Sequence, residues 1–131
     1  MTALLRIEPR WTDLDPAGHV NNSVFLVYAE EARARLLPRA LPGAWDRVVV
    51  VHCAIDYHRP VLGSDSVEVT TAVETIGTSS FTTVNVLATA THKCATVHTV
   101  HVVLREDGSG ARPLADDERA ALNAVLIGTE K

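Results

Sequence analysis

What most constrains this sequence is one long helical stripe followed by a succession of strand-like segments with nothing helical between them. From about Ser23 to Leu37, Val24, Tyr28, Ala32 and Leu36 recur every four positions, and Phe25 and Ala29 widen the apolar face. Pro38, then Pro42 with Gly43, are expected to end it. The valine-rich run from Asp46 to Tyr57 reads as a largely buried strand. Val67, Val69, Thr71 and Val73 then alternate with Glu68, Thr70 and Glu74, a strand with one face toward solvent. Past a hairpin connection at Gly77 to Ser80, Phe81 to Thr91 and Cys94 to Arg105 are two further strands around a turn at His92-Lys93. Leu4 to Trp11 supplies a first strand, which Pro9 confines to an edge or an end. Asp116 to Ile127 reads as a closing helix. Strands joined by short turns form an antiparallel sheet whose apolar face must be covered, and the early helix is the element available to cover it. The expected class is α+β: an antiparallel sheet of about five strands wrapped around a long central helix, with a C-terminal helix, in one domain over 1–131.

Composition narrows the function. Apolar residues make up 47% and charged residues 21% of 131, which suits a packed globule and argues against disorder. A formal net charge of −4, few aromatics and no basic stripe argue against nucleic acid as a partner. No apolar stretch approaches the length of a membrane span, and the first residues lack the pattern of a secretory signal. A cytoplasmic protein is expected. Cys53 and Cys94 fall inside strands and read as free thiols.

The chemistry lies just ahead of the helix. Asp15-Pro16-Ala17-Gly18 is turn sequence, because proline fixes one backbone angle and glycine accepts a positive one. Asn21, Asn22 and Ser23 all suit an N-cap. An acidic side chain therefore precedes a helix start, where unpaired N–H groups and the positive end of the dipole point outward. That arrangement can polarise a carbonyl; its plain structural counterpart is a turn or capping Asp. Asp13 is a rival. In an extended segment it would share a side with Asp15, and two close carboxylates would raise one pKa; its plain counterpart, and the expected one, is a solvated or turn-bonding carboxylate.

At this point the residues match a family. Asp13-Leu14-Asp15, Gly18-His19-Val20-Asn21-Asn22, Phe25, Tyr28, Glu31, Ala32 and Arg33 resemble the hot-dog-fold acyl-CoA thioesterases, above all the 4-hydroxybenzoyl-CoA and long-chain acyl-CoA branches. The Asp-x-x-Gly-His-Val-Asn-Asn run is also similar to the active-site segment of plant acyl-carrier-protein thioesterases. Arg59-Pro60-Val61 with Gly63 and Asp65, and Gly77 with Ser79 and Ser80, match turns of the family. The resemblance implies a hot-dog fold, a homodimer or a tetramer built from two dimers, and active sites at the subunit interface. It implies hydrolysis of thioesters of coenzyme A or of acyl-carrier protein, with no metal and no organic cofactor. By the match, Asp15 is the catalytic carboxylate, as nucleophile or general base, and the Asn22 N–H polarises the carbonyl. His19 would orient Asp15 or a water, and Gly18, Val20 and Asn21 are expected at the substrate. Ala17 stands where the plant-type motif has Asn, which leaves the carrier open. Arg33, Arg59 and Arg105 are candidates for the coenzyme phosphates.

Two other readings keep the fold. One is a hydratase or dehydratase acting on enoyl or 3-hydroxyacyl thioesters, whose acid and His follow a different spacing from Asp15 and His19. The other is a catalytically silent domain that binds acyl thioesters. A metal site is not expected: His98 and His101 fall on opposite faces of a strand, and His52 to His58 spans about 20 Å along one.

Overall fold

The computed structural model describes residues 3–126. Among them, five strands form one antiparallel sheet: β1 (Ala3–Ile7), β2 (Val48–Tyr57), β3 (Val67–Ile76), β4 (Ser80–Ala88) and β5 (Lys93–Val103), in the spatial order β1-β3-β4-β5-β2. Helix α1 (Asn22–Ala40) joins β1 to β2, and the short α2 (Asp116–Asn123) follows β5. Ile127, the expected end of the closing helix, lies outside the described residues.

The helical stripe is buried as its period requires. Phe25, Tyr28, Ala29, Ala32, Leu36 and Leu37 all face the sheet, and α1 packs across β1, β3, β4 and β5. Its N-terminal half meets Val61, Val67, Val69, Leu87, Ala95 and Val97. Its C-terminal end, through Leu37 and Leu41, meets Val73, Phe81, Val103, Leu114 and Leu122. Fully burying side chains such as Phe25 and Phe81 contributes about 2–3 kcal/mol each. The arrangement is the hot-dog one, a sheet around a central helix. α2 closes one end, its Glu118 carboxylate accepting from the Ala115 N–H and, bidentately, from Arg112.

Several boundaries differ from expectation. The first strand stops at Ile7, before Pro9, and Trp11–Asp13 winds into a 3-10 turn. α1 runs through Pro38 to Ala40, because a proline in the last turn removes only one helical donor before Leu41 N–H closes the helix on Leu37 O at 2.9 Å. The largest difference is β2. It is not a buried strand but an open edge, paired with β5 alone, and α1 meets its end through Phe25 against the Tyr57 ring, centroids 5.3 Å apart. Val50, Val51 and Tyr57 are 49%, 58% and 44% exposed.

Candidate active site

Asp13 and Asp15 are separated by their surroundings. Asp13 closes the 3-10 turn and is buried, its carboxylate accepting from Arg10 N–H (2.9 Å), Arg10 Nη2 (2.9 Å) and the Tyr28 hydroxyl (2.7 Å). Burial alone would raise its pKa, but the bonds from Arg10 and Tyr28 outweigh that and hold it at about 2. The segment is a 3-10 turn and not extended at Asp13, so the reading of Asp13 as a turn-bonding carboxylate holds. Asp13 is a structural anion, and its backbone oxygen takes the Asn21 N–H at 2.9 Å, pinning the residue before the helix.

Asp15 sits half-buried in the loop that the Leu14–Val20 bridge closes. Its N–H donates to His19 O (2.8 Å), and its own carbonyl accepts from Gly18 N–H (3.0 Å). Oδ1 accepts from the Ala17 and His19 backbone N–H groups at 2.9 and 3.1 Å. Gly18 adopts φ +80°, which favours glycine and lets the loop turn this tightly. The Arg59-to-Asp65 turn braces it from outside: Val20 N–H reaches Val61 O, and Gly63 N–H reaches Gly18 O. Asp15 is thus held through one oxygen, while Oδ2 has no protein donor among the described residues. It borders a groove of about 620 Å³ with Trp11, Thr12, Leu14, Pro16 and Gly18, in which Trp11 is 87% exposed.

At the helix start, Asn21 is the cap. Its Oδ1 accepts from Ser23 N–H at 3.0 Å and its carbonyl from Val24 N–H at 2.9 Å. The Asn22 N–H has no protein partner among the described residues, so it is the open donor of the first turn. The Asn22 carbonyl accepts from the Tyr57 hydroxyl at 2.8 Å, which ties the helix start to the end of β2. Asn22 borders a shallow groove with Phe25, Tyr57, His58, Arg59 and Pro60, separate within one chain from the groove at Asp15.

Other sequence candidates fall differently. Val20, expected at the substrate, is 3% exposed and packed in the core, where an apolar side chain between Phe25 and Val61 belongs. His19 touches Asp15 through its backbone; its ring makes no hydrogen bond among the described residues. Arg59 and Arg105 are exposed, but Arg33 is not a surface residue: it is 7% exposed beneath α1. There its Nη1 donates to Asn85 Oδ1 and Thr99 Oγ1. Nearby, Thr83 Oγ1 meets His101 Nε2 at 3.0 Å, and burial holds His101 near pKa 3. This polar cluster escaped sequence reasoning, although Arg33 stands four residues from Ala29 and from Leu37, on the buried stripe. His98 pairs with Glu74 on the opposite face of β5 from His101. No cluster of at least three His, Cys, Asp or Glu among the described residues is placed to hold a metal.

The model of the thioesterase-like superfamily matches residues 9–122. No curated protein matches. The chain is similar to a predicted thioesterase from Bacillus stearothermophilus, with TM-score 0.89 and 26% identity over 96% of this chain and 97% of that one. It is similar to a thioesterase from Thermus thermophilus complexed with coenzyme A and zinc, with TM-score 0.86 and 35% identity over 94% and 92%. A 1,4-dihydroxy-2-naphthoyl-CoA thioesterase from Synechocystis, 20% identical with TM-score 0.82 over 94% and 96%, shares the fold.

Proposed function

This chain belongs to the thioesterase-like superfamily and is a thioester hydrolase; on that premise we propose that it cleaves acyl-CoA at Asp15, with the Asn22 N–H polarising the carbonyl. The observation that carries the assignment is the asymmetry of Asp15: Oδ1 is fixed by two backbone donors and Oδ2 is left free. A carboxylate so held can act in either of two ways. As nucleophile, Oδ2 adds to the carbonyl carbon, the C–S bond breaks, the thiolate leaves and takes a proton, and water hydrolyses the acyl-aspartyl anhydride. As general base, Oδ2 takes a proton from water, whose oxygen adds to the carbonyl before the thiolate leaves. In both, the carbonyl oxygen gathers charge, and the open N–H at the positive end of α1 stabilises it. No other charged side chain is needed for that step. The coenzyme A bound by the Thermus thermophilus relative supports coenzyme A as the carrier here. Ala17 gives the plant-type carrier-protein motif no polar side chain at its Asn position.

We also propose that the working unit is a homodimer formed through β2. An open strand edge with exposed valines is a template for pairing, and a second copy would cover both it and the groove at Tyr57. Such a partner would add a wall near Asn22, bringing the two separate grooves under one roof.

The test is turnover of short, medium, long-chain and aryl acyl-CoAs by wild type and Asp15→Asn. The variant keeps the two backbone bonds at Oδ1 and should fold with unchanged melting. Its kcat should fall about a hundredfold or more, the scale of a lost transition-state interaction. Turnover within about twofold of wild type would remove Asp15 from the mechanism.

A further inference from the structure

The donor assigned to the thioester carbonyl, the Asn22 N–H, belongs to the first residue of α1. Helix ends fray, because the first turn holds fewer intrahelical bonds than the middle. A donor on a fraying turn must reorient as charge develops, whereas one held in advance does not. What holds Asn22 therefore bears on its chemistry. Local bonds supply part of the restraint. Asn21 Oδ1 accepts from the Ser23 N–H at 3.0 Å and from the Ser23 hydroxyl at 2.8 Å, and the Asn21 carbonyl accepts from Val24 N–H at 2.9 Å. The Asn21 N–H donates to Asp13 O at 2.9 Å. These bonds run within the helix start or to the chain just ahead of it, so they shape the turn without fastening it to the sheet.

Tyr57 makes that attachment. Alternation along β2 puts Ile55 and Tyr57 on the face turned toward α1. The Tyr57 ring stands edge-on to Phe25, with centroids 5.3 Å apart and planes at 61°. Its hydroxyl donates to the Asn22 carbonyl at 2.8 Å. A helical carbonyl accepts one N–H from the following turn and keeps a second lone pair, which the hydroxyl takes. The strand end behind the ring is itself anchored. Tyr57 pairs with Ala95, and the His58 and Arg59 N–H groups both donate to Cys94 O, at 2.7 and 3.1 Å. A little further on, Val61 O accepts from Val20 N–H at 2.7 Å, so this one segment grips the chain on both sides of Asn21.

We propose that Tyr57 is a positioning residue for the hydrolysis: its hydroxyl fastens the first turn of α1 to the sheet, so that the Asn22 N–H is aimed at the carbonyl oxygen before charge gathers there. The inference rests on the reading of Asn22 as the polarising donor and adds the side chain that aims it. The hydroxyl is already committed as a donor to Asn22 O, so it acts through Asn22 and moves no proton of the substrate. The ring also borders the groove of about 250 Å³ at Asn22. Phenylalanine at this position keeps that wall and the contact with Phe25 and removes only the hydrogen bond.

The experiment compares wild type with Tyr57→Phe. The variant should melt within a few degrees of wild type and keep its mass in sedimentation, because the backbone edge of β2 is unchanged. Across the acyl-CoA panel its kcat should fall about five- to tenfold, the scale of one hydrogen bond, with KM unchanged. The direct readout is the infrared stretch of an isotope-labelled thioester carbonyl bound to Asp15→Asn, in which cleavage is slow enough to record it. Binding there should lower the frequency from its value in water, and adding Tyr57→Phe should return it part of the way. A purely structural loss, measured well below the melting temperature, would move neither kcat nor that stretch. A kcat within about twofold of wild type overturns the proposal, and so does a stretch that Tyr57→Phe leaves in place. A raised KM with kcat intact also overturns it, making Tyr57 a wall of the groove, as does a fall in kcat that comes with a smaller sedimenting mass. A frequency that binding to Asp15→Asn does not lower at all would instead sink the Asn22 assignment, and the role of Tyr57 with it.

Discussion

Asp13 offers a prediction that can be worked from the structure. Its carboxylate is held at about 2, against roughly 3.9 for an unfolded Asp. A group whose folded pKa is depressed stabilises the fold above its unfolded pKa, and that contribution disappears as pH falls through the folded value. The window is therefore pH 4 down to about 2. A shift of this size corresponds to at most about 2.5 kcal/mol, and because the Arg10 side of the pair is exposed to solvent, about 1–2 kcal/mol is the expected contribution. Asp13→Asn removes the charge and sets an amide N–H against one of the donors that now meet the carboxylate. It should cost about 2 kcal/mol at pH 7, where a buried, multiply bonded acceptor is lost. The assay is urea unfolding of both proteins at a series of pH values from 7 to 2. The gap between them should narrow steadily below pH 4. A gap that stays constant to pH 2 would refute the argument that Arg10 and Tyr28 hold Asp13 ionised. Because Asp13 O also receives the Asn21 N–H, the variant should lower kcat as well, by loosening the helix start.

Two further perturbations address the loop and the edge. Gly18→Ala places a side chain at φ +80°, costing about 1–2 kcal/mol of backbone strain; melting should drop accordingly and kcat should fall with it, since Asp15 O and Gly18 N–H form one turn, whereas normal activity in a destabilised protein would separate the loop from the chemistry. Val51→Lys puts a charge on the exposed β2 edge and should shift the protein from dimer to monomer in sedimentation, with loss of turnover; an unchanged mass would place the interface elsewhere.

The helix was legible because its period is strong and its residues have one job. Phe25, Ala29 and Ala32 recur on a face that the sheet covers, so sequence and structure agree on the central element. Gly18 and the Asn21-Asn22-Ser23 cap were legible for the same reason, each being nearly dictated by local backbone needs. Asp13 was not. Its character depends on Arg10, a local neighbour, and on Tyr28, more than a helical turn and a loop away, and no spacing rule brings that hydroxyl to the carboxylate. Arg33 misled in the opposite direction: an arginine in a helix usually reaches water, and only its place on the Ala29–Leu37 line betrayed its burial.

β2 carries the more instructive disagreement. Pattern reasoning weighs what a side chain would like to have around it, and four successive valines ask for protein on both faces. A single chain gives β2 one neighbouring strand and a contact with α1 at Tyr57, so Val50 and Val51 meet solvent. The two facts are compatible if the environment the sequence is written for is supplied by a second copy. The dimer proposed through β2 would also account for the separation of the grooves at Asp15 and Asn22. On that proposal an open strand edge and a divided site would have one cause. That is why Val51→Lys, far from the reacting atoms, should abolish turnover as well as pairing.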